Sequence, residues 1–138
     1  MLGFEDVLLA GLARDGGLYI PETWPQLYPA QIASFAGMPY HQVAKEVIWP
    51  FIDGEIERKT FEAMAQEAYE SFRHPAVTPL VQIGANRRIL ELFHGPTLAF
   101  KDVAMQLLAR MMEHVLTKRD LRASIVGATS GDTGGAAI

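Results

Sequence analysis

A single segment, Arg88 to Gly135, indicates the fold class; it reads RILELFHGPTLAFKDVAMQLLARMMEHVLTKRDLRASIVGATSGDTGG. Residues 88–93 and the apolar run 123–128 each have the length and composition of a β-strand. Between them, apolar side chains recur at helical spacing over residues 102–118, which predicts a long amphipathic helix. Strand, helix, strand and glycine-rich turn, in that order, are typical of an open, mainly parallel α/β sheet. We therefore predict an α/β protein.

The residues before this segment are predicted to form a mostly helical module. We place the module at residues 1–76 and the start of an α/β domain at residues 77–138, where strand-like and turn-like residues begin. A short strand at 80–83 and a turn at 84–86 would open that domain. Three helices are expected in the module: Phe4 to Leu12, ended by Asp15-Gly16-Gly17; His41 to Phe51, which Pro50 should end or kink; and Thr60 to Phe72, with Thr60 as its cap.

The predicted sheet looks incomplete at its C-terminal side. The last residues, Gly135 to Ile138, carry no helix-ending signal. An open sheet also needs more strands than this sequence supplies. We therefore expect these 138 residues to be the N-terminal part of a longer protein.

The composition excludes several classes of protein. Lys and Arg number 12 and Asp and Glu 16, so the formal net charge of −4 gives no basic surface for DNA or RNA. The sequence has no cysteine, which removes disulfides and thiol chemistry and fits a reducing cytoplasm. Its apolar stretches are far shorter than the roughly 20 residues that span a bilayer, and no basic leader precedes the first of them. We expect a cytoplasmic protein, and a small anionic ligand is compatible with this composition because a few well-placed donors can bind one whatever the net charge.

Two loops are the candidate ligand-binding segments. In an open α/β sheet, ligands bind at the carboxyl ends of the strands, where loops lead into helices. Residues 94–102 follow the first predicted strand of the segment, and residues 129–135 follow the second. If the two strands run parallel and near each other, both loops open on the same edge of the sheet. Lys101 would then face a cluster of hydroxyl and backbone N–H groups.

Lys101 is the candidate nucleophile of the first loop. Most lysines are solvated surface residues, and that alternative stays open here. The neighbouring residues, Leu98 to Phe100 on one side and Val103 to Ala104 on the other, are apolar, which favours partial burial. Partial burial favours an uncharged amine, the form that attacks a carbonyl carbon to make a Schiff base.

The second loop, Thr129 to Gly135 (TSGDTGG), is rich in hydrogen-bond donors. Its glycines let the backbone approach a ligand, and the N-terminal end of the next helix favours an anion such as a carboxylate or phosphate. The loop lacks the lysine of a P-loop. Its GDTGG is like a serine-protease motif, but threonine stands in place of the nucleophilic serine. The remaining alternative is a plain helix cap by Thr129 or Asp132.

Three segments together resemble the N-terminal region of the threonine synthase family: LARDGGLYIPETWP, FHGPTLAFKDVAMQ and ATSGDTGGAA. That family consists of pyridoxal-phosphate enzymes of the tryptophan-synthase-β fold group, also called fold-type II. The resemblance implies an open, mainly parallel three-layer sheet. It covers residues 4–138, although the part before DGGLY is shorter than in the family.

The resemblance also implies roles for five residues. Lys101 would bind pyridoxal phosphate covalently through its amine and would move the substrate α-proton. Thr129, Ser130 and Thr133 would hold the substrate carboxylate. Asp132 would face the cofactor's 3-oxygen, where most of the fold group has asparagine. An ionised aspartate would repel that oxygen, but aspartate is the form found in threonine synthases.

The implied reaction converts O-phospho-L-homoserine and water to L-threonine and phosphate, with pyridoxal 5'-phosphate as cofactor. The loop for the cofactor phosphate and the residue facing the pyridine nitrogen would lie beyond this chain. We therefore expect the chain alone to bind the cofactor weakly and to be inactive. The protein would be a monomer or homodimer without nucleic-acid or membrane partners. Two alternatives remain: another fold-type II lyase, such as a serine/threonine dehydratase or a cysteine synthase, and a non-catalytic relative that binds a phosphorylated metabolite.

The histidines give no sign of a metal site. None of the four has the spacing of metal ligands, so structural or surface roles are expected for His41, His74, His94 and His114. His94 is of most interest because it shares the loop of Lys101. Asp15 to Tyr19 (DGGLY) matches the family, but its residues indicate only a helix stop and a turn.

Overall fold

A computed structural model describes residues 1–52 and 54–137. Within these residues the chain forms six α-helices and two β-strands: α1 (Phe4–Ala10), α2 (Pro29–Ser34), α3 (Tyr40–Ile52), α4 (Arg58–Glu70), β1 (Leu80–Gly84), β2 (Arg87–Leu90), α5 (Asp102–Lys118) and α6 (Asp132–Ala136). Of these helices, none has the length and apolar character needed to cross a bilayer. The structure thus combines helices with a small sheet.

Helices α3, α4 and α5 share one hydrophobic core. The predicted apolar face of α4 is confirmed, because it is buried along its length. The predicted face of α5 contributes Leu107, Met111 and Val115 to the same core, and the predicted bounds of that helix are also confirmed. Full burial of a side chain such as Phe61 contributes about 1.5–3 kcal/mol. The division at residues 76 and 77 stays a prediction, and this core takes residues from both sides of it.

Three predicted helix boundaries were wrong. Helix α1 ends at Ala10, because Gly11 takes a positive φ of 66° and stops it before Leu12. Helix α4 begins at Arg58, with Glu57 in the capping position, so Thr60 lies inside the helix and does not cap it. Helix α3 continues past Pro50 to Ile52, one residue beyond the predicted end at Phe51, and the alternative of a kink at Pro50 stays a prediction. A glycine with a positive φ thus ends α1, whereas the capping threonine and the proline expected at the other two positions do not set the ends of their helices.

Within the described residues, the sheet is a single antiparallel hairpin. Strands β1 and β2 pair with Leu80 opposite Leu90 and Val81 opposite Ile89, and the predicted turn lies at residues 85–86. Both strands are exposed along their length. The strand predicted at residues 88–93 thus corresponds to β2, which ends at Leu90. It pairs with β1, the strand that precedes it in sequence.

The predicted strand at 123–128 is not formed. These residues carry no strand assignment in the described chain, and they are exposed. Ile125 is 75% exposed and Val126 95% exposed, so this apolar run is uncovered. A strand is held by hydrogen bonds to a neighbouring strand, and the described sheet contains only β1 and β2. The parallel pairing expected from the sequence is thus absent from the described residues.

An ion-pair cluster joins α1 to the C-terminal end of α5. The Glu5 carboxylate, only 4% exposed, accepts hydrogen bonds from Lys118 Nζ at 2.7 Å and from Arg119 Nη2 at 2.9 Å. The Glu5 amide donates to Glu55 Oε2 at 2.7 Å. A second carboxylate, that of Asp6, accepts from Arg119 Nη1 at 2.6 Å. Ion pairs therefore hold α1 against the C-terminal end of α5.

The cluster changes the ionisation of Glu5. Burial alone would raise the pKa of this carboxyl, but hydrogen bonds and charges from Lys118 and Arg119 outweigh burial and lower the pKa. A lowered pKa in the folded state stabilises the fold wherever the carboxyl is ionised. The contribution is present above the unfolded value of 4.5 and is lost as the pH falls through the folded pKa.

Glu5→Gln should lower the free energy of unfolding at pH 7 by about 1–3 kcal/mol, between the ranges for exposed and buried pairs. The difference from the unsubstituted chain should shrink in acid, because protonated Glu5 no longer attracts its two cationic partners. Urea unfolding at several pH values measures both quantities. Asp6→Asn is the matched control, since Asp6 is exposed and should give a much smaller change. An equal loss for both variants, or a Glu5→Gln effect that does not change with pH, would contradict this assignment.

Candidate functional site

Lys101 lies where the loop after β2 meets α5. Its backbone already has helical angles, with φ −58° and ψ −29°, and its carbonyl oxygen accepts from the amides of Ala104 and Met105 at 3.2 and 2.9 Å. The residue is therefore part of the first turn of the helix, while its side chain is half-buried. The amine nitrogen lies 4.8 Å from the centre of the Phe100 ring, in the range of a cation–π contact.

The surroundings of this amine fit a covalently attached carbonyl cofactor. Among residues 1–52 and 54–137, no carboxylate forms an ion pair with the Lys101 amine. An ion pair would favour the ammonium form, which cannot attack a carbonyl carbon. Lys101 carries no such partner in the described residues, which fits the role of a cofactor-binding lysine.

The loop before Lys101 is closed by the carboxylate of Asp102. The Thr97 amide donates to Asp102 Oδ2 at 2.9 Å, and the Thr97 hydroxyl donates to Oδ1 at 2.8 Å. Asp102 is fully buried, at 0% exposed. Sequence reasoning missed this pair. The available signal was an aspartate in the first turn of a helix with a threonine five residues before it.

The loop 129–135 is organised by Thr129. Its hydroxyl oxygen accepts from the amides of Gly131 and Gly134, each at 3.1 Å. Gly134 lies in the first turn of α6, so Thr129 satisfies amides at the start of this helix, which is what a capping side chain does. The helix has only five residues, and two of the amides that would face an anion are already bound to Thr129. The capping alternative thus describes Thr129 well, and its contact with a substrate carboxylate stays a prediction.

The other three predicted residues of this loop keep their polar groups available. Ser130 and Asp132 are exposed and Thr133 is half-buried. In the described part of the chain, the side-chain oxygens of these residues form no hydrogen bond with protein groups. Ser130 precedes α6, and Asp132 and Thr133 lie in its first turn. Because α6 contacts α5, residues 94–102 (the lysine loop) and residues 129–135 (the hydroxyl loop) lead into neighbouring helices. Their convergence on one pocket stays a prediction.

His94 holds the lysine loop against the chain segment after α4. Its ring Nε2 lies 2.7 Å from Glu91 Oε2, and its carbonyl oxygen accepts from the Arg73 amide at 2.8 Å. The ring centre of His74 lies 5.1 Å from that of His94. No group of three or more His, Asp or Glu among the described residues is arranged to hold a metal ion. The contacts of His94 are therefore structural ones.

A separate concavity of about 900 Å³ lies beside α1 and contains none of the predicted site residues. Its walls include Phe4 and Phe51 together with Arg14, Asp15 and Tyr19. Two residues of the DGGLY segment, Asp15 and Tyr19, thus line this concavity, and the turn indicated by the sequence is present between them, with Gly16 at a φ of 86°. Neither Lys101 nor any residue of the loop 129–135 lines this concavity, so it is separate from the candidate site.

The chain is similar along nearly its whole length to known threonine synthases. A protein-family model described as "Threonine synthase N terminus" matches residues 1–69. The threonine synthase of Pseudomonas aeruginosa is 58% identical over 137 residues, which cover 99% of this chain and 29% of that protein. The threonine synthase of Schizosaccharomyces pombe is 42% identical over 144 residues, covering 98% of this chain and 28% of that protein.

Solved structures agree with the sequence relatives. The crystal structure described as PLP-bound threonine synthase from Brucella melitensis superposes with a TM-score of 0.95 and 65% identity, covering 99% of this chain and 29% of that one. Threonine synthase from yeast gives a TM-score of 0.87 and 39% identity, covering 97% of this chain and 29% of that one. The chain thus spans less than a third of the length of these relatives. Because the family model matches half of the chain and the relatives match nearly all of it, the chain belongs to the threonine synthase family.

Proposed function

We propose that this chain supplies the cofactor lysine and the substrate-carboxylate loop of a pyridoxal-phosphate-dependent threonine synthase. The proposed reaction converts O-phospho-L-homoserine and water to L-threonine and phosphate. One observation carries the proposal. Lys101 is fixed at the start of α5, half-buried on an aromatic face and without an ion-pair partner in the described residues, in a chain closely similar to a PLP-bound threonine synthase.

The cofactor would supply the electron sink for this chemistry. When bound, pyridoxal phosphate provides a ring that stabilises negative charge at the substrate α-carbon. Lys101 would hold the cofactor through its amine nitrogen and, once released, would take and return the proton at the substrate α-carbon. Its rigid attachment to α5 limits the positions that this nitrogen can reach, which favours proton transfer at a single carbon.

The hydroxyl loop would orient the substrate. The hydroxyls of Ser130 and Thr133 have no protein partner in the described chain and could both donate to the substrate carboxylate. Thr129 would act mainly by shaping the loop, because its oxygen already accepts two amide hydrogen bonds. The exposed carboxylate of Asp132 is proposed to face the cofactor's 3-oxygen.

The remaining two thirds of the proposed enzyme would complete the sheet and the site. The uncovered apolar run 123–128, with Val126 95% exposed, supports the proposal that it becomes a strand of a mainly parallel three-layer sheet once further strands lie beside it. The cofactor-phosphate loop and the partner of the pyridine nitrogen would lie in that remainder. The 138-residue chain alone should therefore bind the cofactor weakly and form no threonine. A cytoplasmic location and a monomeric or homodimeric state stay predictions.

Lys101→Ala should abolish covalent cofactor attachment in the full-length protein. Borohydride reduction of the reconstituted protein, followed by mass spectrometry, should find a pyridoxyl group on Lys101 and none in the variant. Phosphate release from O-phospho-L-homoserine should be lost in parallel. Lys59→Ala is the control, because Lys59 is an exposed lysine on α4 and its loss should leave the adduct in place. An adduct on another lysine, or none in the unsubstituted protein, would refute the assignment.

Ser130→Ala should weaken use of the substrate. Loss of one hydrogen bond to a carboxylate should lower kcat/KM for O-phospho-L-homoserine by about 10–100-fold, with the pyridoxyl adduct on Lys101 retained. Steady-state kinetics and the reduction assay measure the two effects separately. If kcat/KM is unchanged, Ser130 does not hold the carboxylate.

Thr129 should act through the shape of the loop. Thr129→Val removes the oxygen that caps α6 and should destabilise the start of this helix by about 1 kcal/mol, seen as faster hydrogen exchange at the amides of Gly131 and Gly134. Thr129→Ser keeps the oxygen and should exchange like the unsubstituted protein. Equal exchange in both variants would mean that the cap is unimportant.

A further inference from the structure

The Asp102 carboxylate is buried without a cationic partner. It is 0% exposed, and no Lys, Arg or His in the described ranges forms an ion pair with it. A buried carboxylate is costly unless its oxygens are hydrogen-bonded. Here each oxygen accepts from Thr97, and the position at the start of α5 adds a favourable interaction with the helix dipole. The charge is therefore compensated by one residue of the lysine loop and by the helix itself.

These bonds close a compact turn with Lys101 at its end. The Leu98 amide donates to the Gly95 carbonyl at 3.2 Å, and the Asp102 amide donates to the Ala99 carbonyl at 3.1 Å. Leu98 takes a φ of 64°, which costs energy for a residue other than glycine. The two bonds from Thr97 to Asp102 lie across this strained turn and can hold it in place.

Position 95 requires glycine because the side chain of Asp102 leaves no space for a Cβ atom there. A Cβ atom at Gly95 would lie 2.7 Å from Asp102 Cγ and closer still to two other atoms of Asp102. Those atoms cannot easily move, because the carboxylate is fixed by Thr97. The approach of the Gly95 backbone to Asp102 is thus a third component of the closed turn.

We propose that this Thr97–Asp102 clamp positions Lys101 for its reaction with the cofactor. Lys101 lies between the closed turn and α5, so the clamp fixes the direction in which its Cα–Cβ bond leaves the backbone. A lysine side chain has four rotatable bonds, and fixing its base reduces the positions its nitrogen samples, which raises the fraction in reacting geometry. Asp102 and Thr97 are then positioning residues that touch neither cofactor nor substrate. This inference rests on the proposed role of Lys101.

Matched substitutions distinguish a positioning role of the clamp from an effect on the overall stability of the fold. Thr97→Val removes the hydroxyl donor, whereas Thr97→Ser keeps it, and Thr97 is exposed, so both variants should fold. Asp102→Ala removes both acceptors. Asp102→Asn can keep both bonds, with its oxygen accepting from the Thr97 amide and its NH₂ donating to the Thr97 hydroxyl. Gly95→Ala crowds the carboxylate without changing any donor.

The experiment uses the full-length protein and two readouts. The first is hydrogen exchange of the amides in residues 97–101, which needs no cofactor. The second is the rate at which pyridoxal phosphate, trapped by borohydride at set times, becomes attached to Lys101 per folded molecule. Thr97→Val and Gly95→Ala should speed exchange and slow attachment by about ten-fold. Asp102→Ala should slow it further. Thr97→Ser and Asp102→Asn should stay within about two-fold of the unsubstituted protein.

The outcomes distinguish this inference from the proposed function. If the unsubstituted protein forms no adduct on Lys101, the proposed function fails and the positioning role fails with it. If the adduct forms normally but Thr97→Val attaches the cofactor at the unsubstituted rate, the clamp is refuted while the proposed function stands. Faster exchange with unchanged attachment would likewise refute the clamp, because the turn would then be purely structural. Should Asp102→Ala not fold, the pair of Thr97 variants still decides.

Discussion

The packing of α5 against α4 is the interaction on which the rest of the structure depends. The apolar faces of the two helices form most of the buried core, and a hydrogen bond joins the two helices near the start of α5. Tyr69 of α4 donates its hydroxyl to the Val103 carbonyl at 3.4 Å, two residues after Lys101. Burial first, and then the neighbouring Tyr40, raise the pKa of Tyr69 to about 12. The phenol therefore remains a donor throughout the physiological range of pH, and the first turn of α5 keeps its connection to the core.

The lysine loop gains its order from this helix. Asp102 belongs to α5 and accepts both hydrogen bonds from Thr97, so the turn before Lys101 is built on the helix start. A buried carboxylate on α5 thus orders a loop that is otherwise exposed. An apolar interface and one buried hydrogen-bonded pair together can fix the backbone position from which a flexible lysine side chain extends.

Local sequence patterns predicted the helices that bury one apolar face against the shared core. The bounds of α5 and the apolar faces of α4 and α5 follow from helical spacing, because both helices bury one face against a single core. The failure at 123–128 has the opposite cause. Residues such as Ile125 have the composition of a buried strand, but a strand needs a neighbour to bond, and none lies beside them in the described chain. Helix ends failed for a third reason: Gly11 and Glu57 set them through backbone conformation, which competes with side-chain capping signals.

The candidate site was predicted unevenly for similar reasons. Lys101 was proposed from its apolar neighbours and from the family motif, and Ser130 and Thr133 from the glycine-rich loop and that motif, and their roles stay predictions. The capping role of Thr129 was only one alternative, since a hydroxyl can serve a helix or a ligand and sequence does not reveal which. Asp102 was missed because an aspartate in a first helical turn is common. Its full burial and its two bonds to Thr97 can be recognised only when the loop has folded back.

The cluster around Glu5 has a consequence for the order in which the chain can fold as it is made. Glu5 binds Lys118, which lies 113 residues later, so α1 cannot form its ion pairs with the end of α5 when it first leaves the ribosome. At synthesis rates of about 5–20 residues per second, it must wait on the order of ten seconds for its partner. During that interval α3 and α4 can already pack, since they are close in sequence. Closure of α1 onto the newly made end of α5 would then be a late event in cotranslational folding, guided by charge once the two ends meet.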